Sequence, residues 1–404
     1  MTTRAIRAAL LFTLGLAAVD SLAAVSPESA TLRFLEQRVQ SDPLDSVAHT
    51  RLSAVCINLM RETGDLSYLD RAMQAARAAL AAVPAAQDPA GVAALATSEF
   101  ESHHFREALA LAQQAYAVDP RNTAALGTAG DAQLELGNYA EAETIYHQLS
   151  ANESTPPIRA RLARLAELKG DNRKAIDLLS PFAGTAGDSA WYRVRLGELC
   201  FRIGDLQKAE AQYEAGRRLR PESFLVLEHL AELRAAQGKF DEAITLYQRV
   251  IALAPRGEFF QALGDLYVFM GKSTEAKPWH ERALNAYLKS VEQGNAHYYH
   301  HLAGFYSDAQ ENQAEALRWA RKDLEVRHSV YARDSLAWAL YKNGDFASAA
   351  KEAAHALALG TKDAHLLFHA AIIYSRAGEL ERGSALLQEA LAVNPRYNSF
   401  HAHR

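Results

Sequence analysis

The stretch LAELRAAQGKFDEAITLYQRVIALAP, residues 230–255, carries a small residue at Ala231, a glycine at Gly238, an alanine at Ala243 and a proline at Pro255. Glycine adopts the left-handed conformation that ends a helix without the penalty of a Cβ atom. Proline cannot continue a helix, but it starts the next segment well. The stretch therefore predicts helix, glycine turn, helix and proline turn, with small residues where two antiparallel helices pack closely.

The same pattern returns along most of the chain with a period close to 34 residues. Residues aligned with Ala243 recur at intervals of 33 or 34 residues, with one interval of 40. They are Ala108, Ala142, Ala175, Ala209, Ala276, Ala316, Ala349 and Gly383. A second small residue precedes each marker by 12 positions, as Ala231 precedes Ala243. A repeat of this kind buries its apolar face only by stacking on its neighbours.

These features resemble the tetratricopeptide-repeat family in length and order, over nearly all of the chain that follows its N-terminal segment. The resemblance implies an all-α, right-handed superhelical solenoid of about ten helix-turn-helix units, with a concave groove lined by first helices. We expect a capping helix and a divergent first repeat in 25–88, nine repeats in 89–396 and a tail in 397–404. The long interval lengthens one second helix near 285–295, as a hinge, as a wall of the groove or as a tolerated insertion.

The N-terminal segment 1–24 differs from the rest of the chain. Arg4 and Arg7 precede an apolar run at 8–19, and small residues follow. This order predicts a cleaved secretory signal peptide, because about 20 apolar residues are needed to span a bilayer. The alternatives are an uncleaved anchor and a buried core helix. Cleavage would leave a periplasmic or secreted protein without stable membrane insertion.

Composition and motifs exclude several classes of function. The chain of 404 residues has a formal charge of -5 and no block rich in lysine and arginine, so we expect no nucleic-acid partner. No nucleotide-binding or serine-hydrolase motif occurs, and no run resembles a strand, so we expect neither an enzyme nor a cofactor.

Cys56 and Cys200 lie among apolar residues and are predicted to be buried single thiols rather than a disulfide.

The resemblance also implies which side chains reach the groove, because groove positions fall at fixed places in each first helix. In the central repeats these positions are mostly acidic, which suits a basic segment of a partner. The acidic residues are Asp131, Glu198, Glu228, Glu232 and Asp265. The alternative is that they are ordinary solvated helix residues.

In the last three repeats the groove positions are mostly aromatic, and we expect the partner to bind there. Aromatic side chains offer a large contact area, which is typical of binding hot spots. The predicted binding residues are Tyr298, His301, Phe305, Tyr331, Asp334, Trp338, Tyr341, His365, Phe368 and Ile372. The alternative is that half of them pack within the solenoid.

Two histidine pairs late in the chain are weak candidates for metal binding. His297 with His301, and His365 with His369, have the i, i+4 spacing that places both rings on one helical face. Neither pair has the glutamate of a zinc-protease motif, so a catalytic zinc is not expected. The alternative is that His300 and His369 pack, while His301 and His365 face the groove as hydrogen-bonding contacts.

Together these features favour a non-enzymatic periplasmic scaffold or adaptor that binds a protein or peptide in its groove. The resemblance implies a role in envelope assembly or export. The alternatives are a metal or small-ligand carrier that uses the late histidines, and an enzyme with an unrecognised site. The tail after Pro395 is too short for a capping helix, so Leu386, Leu387 and Leu391 are expected to be partly uncovered. This favours self-association or partner docking through the C-terminal repeat.

Overall fold

A computed structural model of the chain describes residues 27–185 and 187–402, and within these ranges it contains helices and turns but no strand. A first helix, α1, spans Pro27–Ser41 and is followed by ten antiparallel pairs. The predicted all-α solenoid of about ten units is therefore confirmed. The predicted signal peptide, 1–24, lies outside the described residues. Among the helices that are described, none combines the length and the apolar composition that crossing a membrane requires.

We number the ten pairs as units 1 to 10. Their helices are, in order, α2 (Ser46–Thr63) and α3 (Ser67–Ala82), α4 (Pro89–Glu101) and α5 (Phe105–Val118), α6 (Thr123–Glu135) and α7 (Tyr139–Asn152), α8 (Pro156–Leu168) and α9 (Asn172–Leu179), α10 (Ala190–Arg202) and α11 (Leu206–Leu219), α12 (Phe224–Ala236) and α13 (Phe240–Leu253), α14 (Gly257–Phe269) and α15 (Ser273–Glu292), α16 (Tyr299–Gly304) and α17 (Gln313–Val326), α18 (Val330–Lys342) and α19 (Phe346–Leu357), and α20 (Ala364–Arg376) and α21 (Leu380–Val393). A π-helical turn, Phe305–Ala309, extends α16.

Glycine turns, helix caps and small residues at the helix interface shape the helix pairs as the sequence predicts, and units 5 and 6 are examples. The first helix of unit 6 ends before Gly238, which has a φ of 77°. In unit 5 the carboxylate of Asp205 accepts a hydrogen bond from the backbone N–H of Lys208 and so caps α11, a contact that typically stabilises a helix by about 1 kcal/mol. The ring of Tyr213 packs directly on Gly197, where a Cβ atom would overlap it. Close packing of the two helices therefore depends on the small residue.

The superhelix closes on itself, because the turn inside one unit touches the loop that follows the unit five places later. The contacting residues are 190 to 194 positions apart. The contacts join Gly64 to Ala254, His103 to His297, Gly137 to His328, Gly170 to Gly360 and Gly204 to Asn394. We call this line of contacts the seam. One superhelical turn therefore takes about five and a half units, and successive turns touch.

Hydrogen bonds across the seam satisfy carbonyl groups at helix ends. The backbone N–H of His328 donates to the carbonyl of Glu135 over 2.9 Å, and the hydroxyl of Thr361 donates to the carbonyl of Leu168. The last carbonyls of a helix have no partner within the helix, so each needs one from elsewhere. The seam supplies these partners from the next superhelical turn.

The interval of 40 residues lengthens α15 to 20 residues, against 14 in α13. Tyr287 lies in the added part of the helix and is fully buried. The loop after α15 carries His297, which reaches His103 across the seam. The loop that follows the insertion therefore makes the seam contact of unit 7, as the corresponding loops of the other units do.

The two cysteines are buried and free, as predicted. Burial raises the pKa of the Cys200 thiol to about 11. The thiolate is the nucleophilic form of cysteine, so this shift disfavours reaction at Cys200.

The C-terminal end of the array is only partly covered. Leu387 and Leu391 on α21 are exposed, in keeping with the expectation from the short tail. The tail itself folds back on the array, and only 2% of Phe400 is exposed. The tail contacts first helices of the array, through Phe201 on α10 and Phe269 on α14.

We predict that Gly170→Ala destabilises the protein more than Gly238→Ala does. Both glycines have a positive φ, so each alanine should cost about 1 to 2 kcal/mol of unfolding free energy. A Cβ atom at Gly170 would also overlap the carbonyl oxygen of Gly360, whereas one at Gly238 would meet nothing within 4 Å. This overlap should add about 1 to 3 kcal/mol. Urea unfolding of the two variants measures the difference, and equal losses would contradict a tight seam.

Candidate functional site

The interior of the superhelix is filled by charged side chains. The carboxylate of Glu167, only 4% exposed, lies 2.9 Å from Arg164, 3.1 Å from Arg202 and 3.3 Å from Arg195. Burial raises the pKa of Glu167, but the three arginines hold it below its ordinary value. Arg202 also lies 3.4 Å from Asp363 in the loop before α20. This network therefore joins unit 5 to unit 10 across the superhelix.

Tyr331, one of the predicted binding residues, belongs to the same network. The guanidinium carbons of Arg164 and Arg202 lie 5.4 and 5.9 Å from the centre of its ring. Arg202 also donates a hydrogen bond of 2.9 Å to the phenol oxygen. Tyr331 thus connects the two superhelical turns in this structure.

The predicted acidic residues are each paired within the chain. The pairs are Asp131 with Arg161, Glu198 with Arg195 and His229, Glu228 with His229, Glu232 with His401, and Asp265 with His280. Burial raises the pKa of Glu198, but Arg195 and His229 hold it well below its ordinary value. The expectation of an open acidic surface is not met, because each of these carboxylates contacts a basic or histidine side chain of the same chain, and Glu228 and Glu232 are buried.

Two of the predicted aromatic contacts lie in the core. Tyr298 is 3% exposed and Phe305 is fully buried, so a partner cannot reach either side chain. Both pack on Tyr287 of the lengthened α15, with ring centroids 4.8 and 6.3 Å away. The ring of His301 stacks on Tyr287 as well, at 5.5 Å. The added part of α15 therefore covers residues that an ordinary unit would leave in the groove.

A half-buried aromatic stack remains on the first helices of units 9 and 10. Trp338 lies between Tyr341 and His369, with ring centroids 4.9 and 4.1 Å away and interplanar angles of 21° and 10°. The indole N–H donates to Asp308 over 3.1 Å. His369 pairs with Asp334 over 2.9 Å. We call these five residues the Trp338 platform.

The charges of the platform follow from its surroundings. Burial lowers the pKa of His369, but the neighbouring carboxylate of Asp334 more than compensates and raises it.

The π-helical turn buries Phe305 and leaves Asp308 exposed beside the indole. π-helical turns are often found at functional sites. The ammonium group of Lys342 lies 3.0 Å from Glu311. Sequence analysis missed Asp308, Glu311 and Lys342, because the repeat pattern carries no signal for a π-helical turn.

The remaining predicted residues lie on α20. Phe368, Ile372 and His365 are all half-buried. The ring of Phe368 lies 5.1 Å from Tyr397, and that of His365 lies 4.9 Å from His401. The C-terminal tail therefore packs against part of the predicted groove.

The histidines near the seam contact one another and two arginines. Nδ1 of His297 lies 3.2 Å from Nε2 of His103. Arg327 Nη2 lies 3.2 Å from Nδ1 of His103 and 3.3 Å from Nδ1 of His300, and Arg256 Nη2 lies 3.3 Å from Nε2 of His297. A ring nitrogen that accepts from a guanidinium group is not available to a metal ion. In the part of the chain that the structure describes, no three or more His, Cys, Asp or Glu are arranged to hold one.

Burial shifts the pKa values of these histidines. It lowers the pKa of His103 and His300 well below the ordinary value, and that of His297 to about 4. The nearby arginines act in the same direction. The cluster is therefore neutral at physiological pH, which suits its contact with two guanidinium groups.

Comparisons with known proteins identify the repeats. Tetratricopeptide-repeat family models match residues 99–168 and 194–258. No curated protein matches the chain. A human IFIT1 dimer with PPP-AAAA is 15% identical with a TM-score of 0.47, covering 91% of this chain and 95% of its own. The IFIT1 dimer with m7Gppp-AAAA is 16% identical with a TM-score of 0.48, covering 91% and 96%.

A bacterial structure is also similar. This tetratricopeptide repeat protein from Parabacteroides merdae is 18% identical with a TM-score of 0.41, covering 63% of this chain and 99% of its own. All three identities are too low to carry a function from one protein to another. The two matched segments fall within the repeats that the sequence pattern delimits, so the chain carries tetratricopeptide repeats.

We predict that His297→Gln makes the protein less sensitive to acid. The folded protein resists protonation of His297 down to a pKa of about 4, whereas the unfolded chain takes up that proton near the ordinary value of 6.5. The wild type therefore loses stability as the pH falls from 6.5 towards 4. Between pH 7 and pH 5 it should lose about 2 kcal/mol more than the variant.

Urea unfolding at the two pH values measures this difference. His147→Gln is the matched control, because the side chain of His147 is 64% exposed. Equal losses in the wild type and in His297→Gln would show that the cluster does not resist protonation.

We also predict that Glu167→Gln is strongly destabilising, by about 3 kcal/mol, because it leaves three half-buried arginines without their shared carboxylate. Glu101→Gln is the control, since its partner Arg61 is exposed and such pairs contribute about 0 to 1 kcal/mol. The unfolding free energies of both variants at pH 7 test this. A small loss in Glu167→Gln would indicate that the interior network is hydrated.

Proposed function

We propose that this chain of tetratricopeptide repeats is a non-enzymatic scaffold or adaptor in the periplasm, and that it binds a protein or peptide at the Trp338 platform. The main support is the stack of Trp338 on Tyr341 and His369, which is half-buried although much of the interior is filled. Stacked aromatic side chains provide a rigid contact area at low entropic cost. The signal-like segment 1–24 supports the location, and a role in envelope assembly or export accords with it.

The surroundings of the platform favour a partner segment with an apolar and a basic residue. The half-buried rings of Trp338 and Tyr341 offer an aromatic surface to an aliphatic or aromatic side chain. Asp308 and Glu311 are exposed beside them, with one lysine, Lys342, between. This leaves an excess of negative charge at the rim, which would favour a lysine or arginine of the partner and speed its association.

The other candidate functions have less support. A metal carrier would need histidine nitrogens that Arg256 and Arg327 already approach within 3.3 Å. A phosphate-binding partner would need free arginines in the interior, whereas Arg164, Arg195 and Arg202 share the carboxylate of Glu167. The matched tetratricopeptide repeats point to no catalytic family.

We predict that Trp338→Ala reduces capture of the partner at least severalfold, because truncation of a central aromatic contact typically costs about 2 kcal/mol or more of binding free energy. The assay is pull-down from envelope extract, with quantification of the proteins that wild-type bait retains specifically. Trp191→Ala is the control, since this tryptophan is exposed and lies in unit 5, away from the platform. Unchanged capture by both Trp338→Ala and Tyr341→Ala would exclude the platform as the binding surface.

A further inference from the structure

The C-terminal segment 397–402 occupies a site built from first helices of both superhelical turns. The ring of Phe400 packs at 5.7 Å on Phe269 at the end of α14, and only 2% of the residue is exposed. The segment forms no helix and follows directly on the last unit. Its buried aromatic residue therefore resembles a bound peptide side chain more than a solvated chain end.

Beside this aromatic contact, a buried carboxylate receives the segment. Glu232 on α12 is 2% exposed, and its Oε1 accepts a hydrogen bond of 2.6 Å from the backbone N–H of Ala402. The same oxygen lies 2.6 Å from Nδ1 of His401. A carboxylate this deeply buried requires such partners, because burial of an unpaired charge is unfavourable. A ligand that replaces the segment can bind Glu232 through a donor or a cation.

The ring of His401 has two further contacts. It packs edge-on against Phe201 of α10, with centroids 5.3 Å apart, and against His365 of α20 at 4.9 Å. We call Phe201, Glu232, Phe269 and His365 the tail site. Its four residues come from units 5, 6, 7 and 10, so the site exists only where successive turns of the superhelix touch.

The segment can leave this site without breaking a helix. The last seam contact, between Asn394 and Gly204, lies before the segment. Residues 397–399 form hydrogen-bonded turns with residues 394–396, and the segment reaches the first helices through the backbone hydrogen bond of Ala402, the contact of His401 with Glu232 and ring contacts. Its release would expose an aromatic surface next to a carboxylate.

We propose that the tail site is a second peptide-binding site, which the chain's own C-terminal segment occupies in the free protein. It takes from a partner a short segment in which an aromatic residue is followed by histidine or a basic residue. The proposal rests on the proposed function in assuming that the first helices bind peptides, but it involves none of the platform residues. The tethered segment competes at an effective concentration that is roughly millimolar, so a partner must displace it.

The test compares the full chain with a chain that ends at Arg396. The probe is a fluorescein-labelled synthetic peptide, YNSFHAHR, which is the sequence of residues 397–404. Fluorescence anisotropy should show binding to the truncated chain and binding to the full chain that is weaker by about tenfold or more. A peptide with alanine in place of the phenylalanine, and the truncated chain with Glu232→Gln, should both bind at least severalfold more weakly.

Two outcomes would overturn the proposal. One is a folded truncated chain, verified by circular dichroism and thermal melting, that does not bind the probe or binds both peptides equally. The other is loss of folding in the truncated chain and also in full-length Phe400→Ala, which would make the segment a structural cap. If only the truncated chain fails to fold, Phe400→Ala replaces it and should bind the probe more tightly than the wild type. Trp338→Ala should not affect probe binding, so failure of the platform and failure of the tail site are distinguishable.

Discussion

Contact between successive superhelical turns is the constraint on which the rest of this structure depends. A glycine without a side chain at Gly170 lets one turn approach the backbone of the next, at Gly360. Equivalent contacts recur down the array at a nearly constant separation in sequence. Each repeat therefore packs on its neighbours in the chain and also on a unit five places away. The groove that an open solenoid would present becomes an interior.

The composition of that interior follows from its closure. First helices of open solenoids carry polar residues because solvent reaches them. Here several of these positions are withdrawn from water, so Glu167 pairs with Arg195 of the next unit, Glu198 with Arg195 and His229, and Glu232 with His401 of the tail. The chain supplies arginines and histidines for this purpose, and the charges lie close to balance. We propose that a partner reaches two surfaces, the Trp338 platform and the site that the tail covers.

The sequence predicts the local structure well and the long-range structure poorly. Gly238, Ala243 and Pro255 specify a helix pair because each acts within a few residues of its own position. Closure cannot be predicted in this way, because it depends on small rotations that add up over five units. The burial of Phe305 was not predicted for a related reason: it depends on an added turn of α15 that places Tyr287 over it. The tail site also escaped prediction, since a short terminal segment carries no periodic signal.

The seam changes how the array is expected to unfold. In an open solenoid each repeat contacts only the repeats next to it, so terminal units fray and unfolding proceeds stepwise along the chain. Here units 1 to 5 are each joined to a unit in the second half of the chain. Loss of one terminal unit removes contacts from the middle of the array as well. Cooperativity should therefore extend over most of the chain, as in a globular domain, and folding should be slowed by the need to bring together segments far apart in sequence.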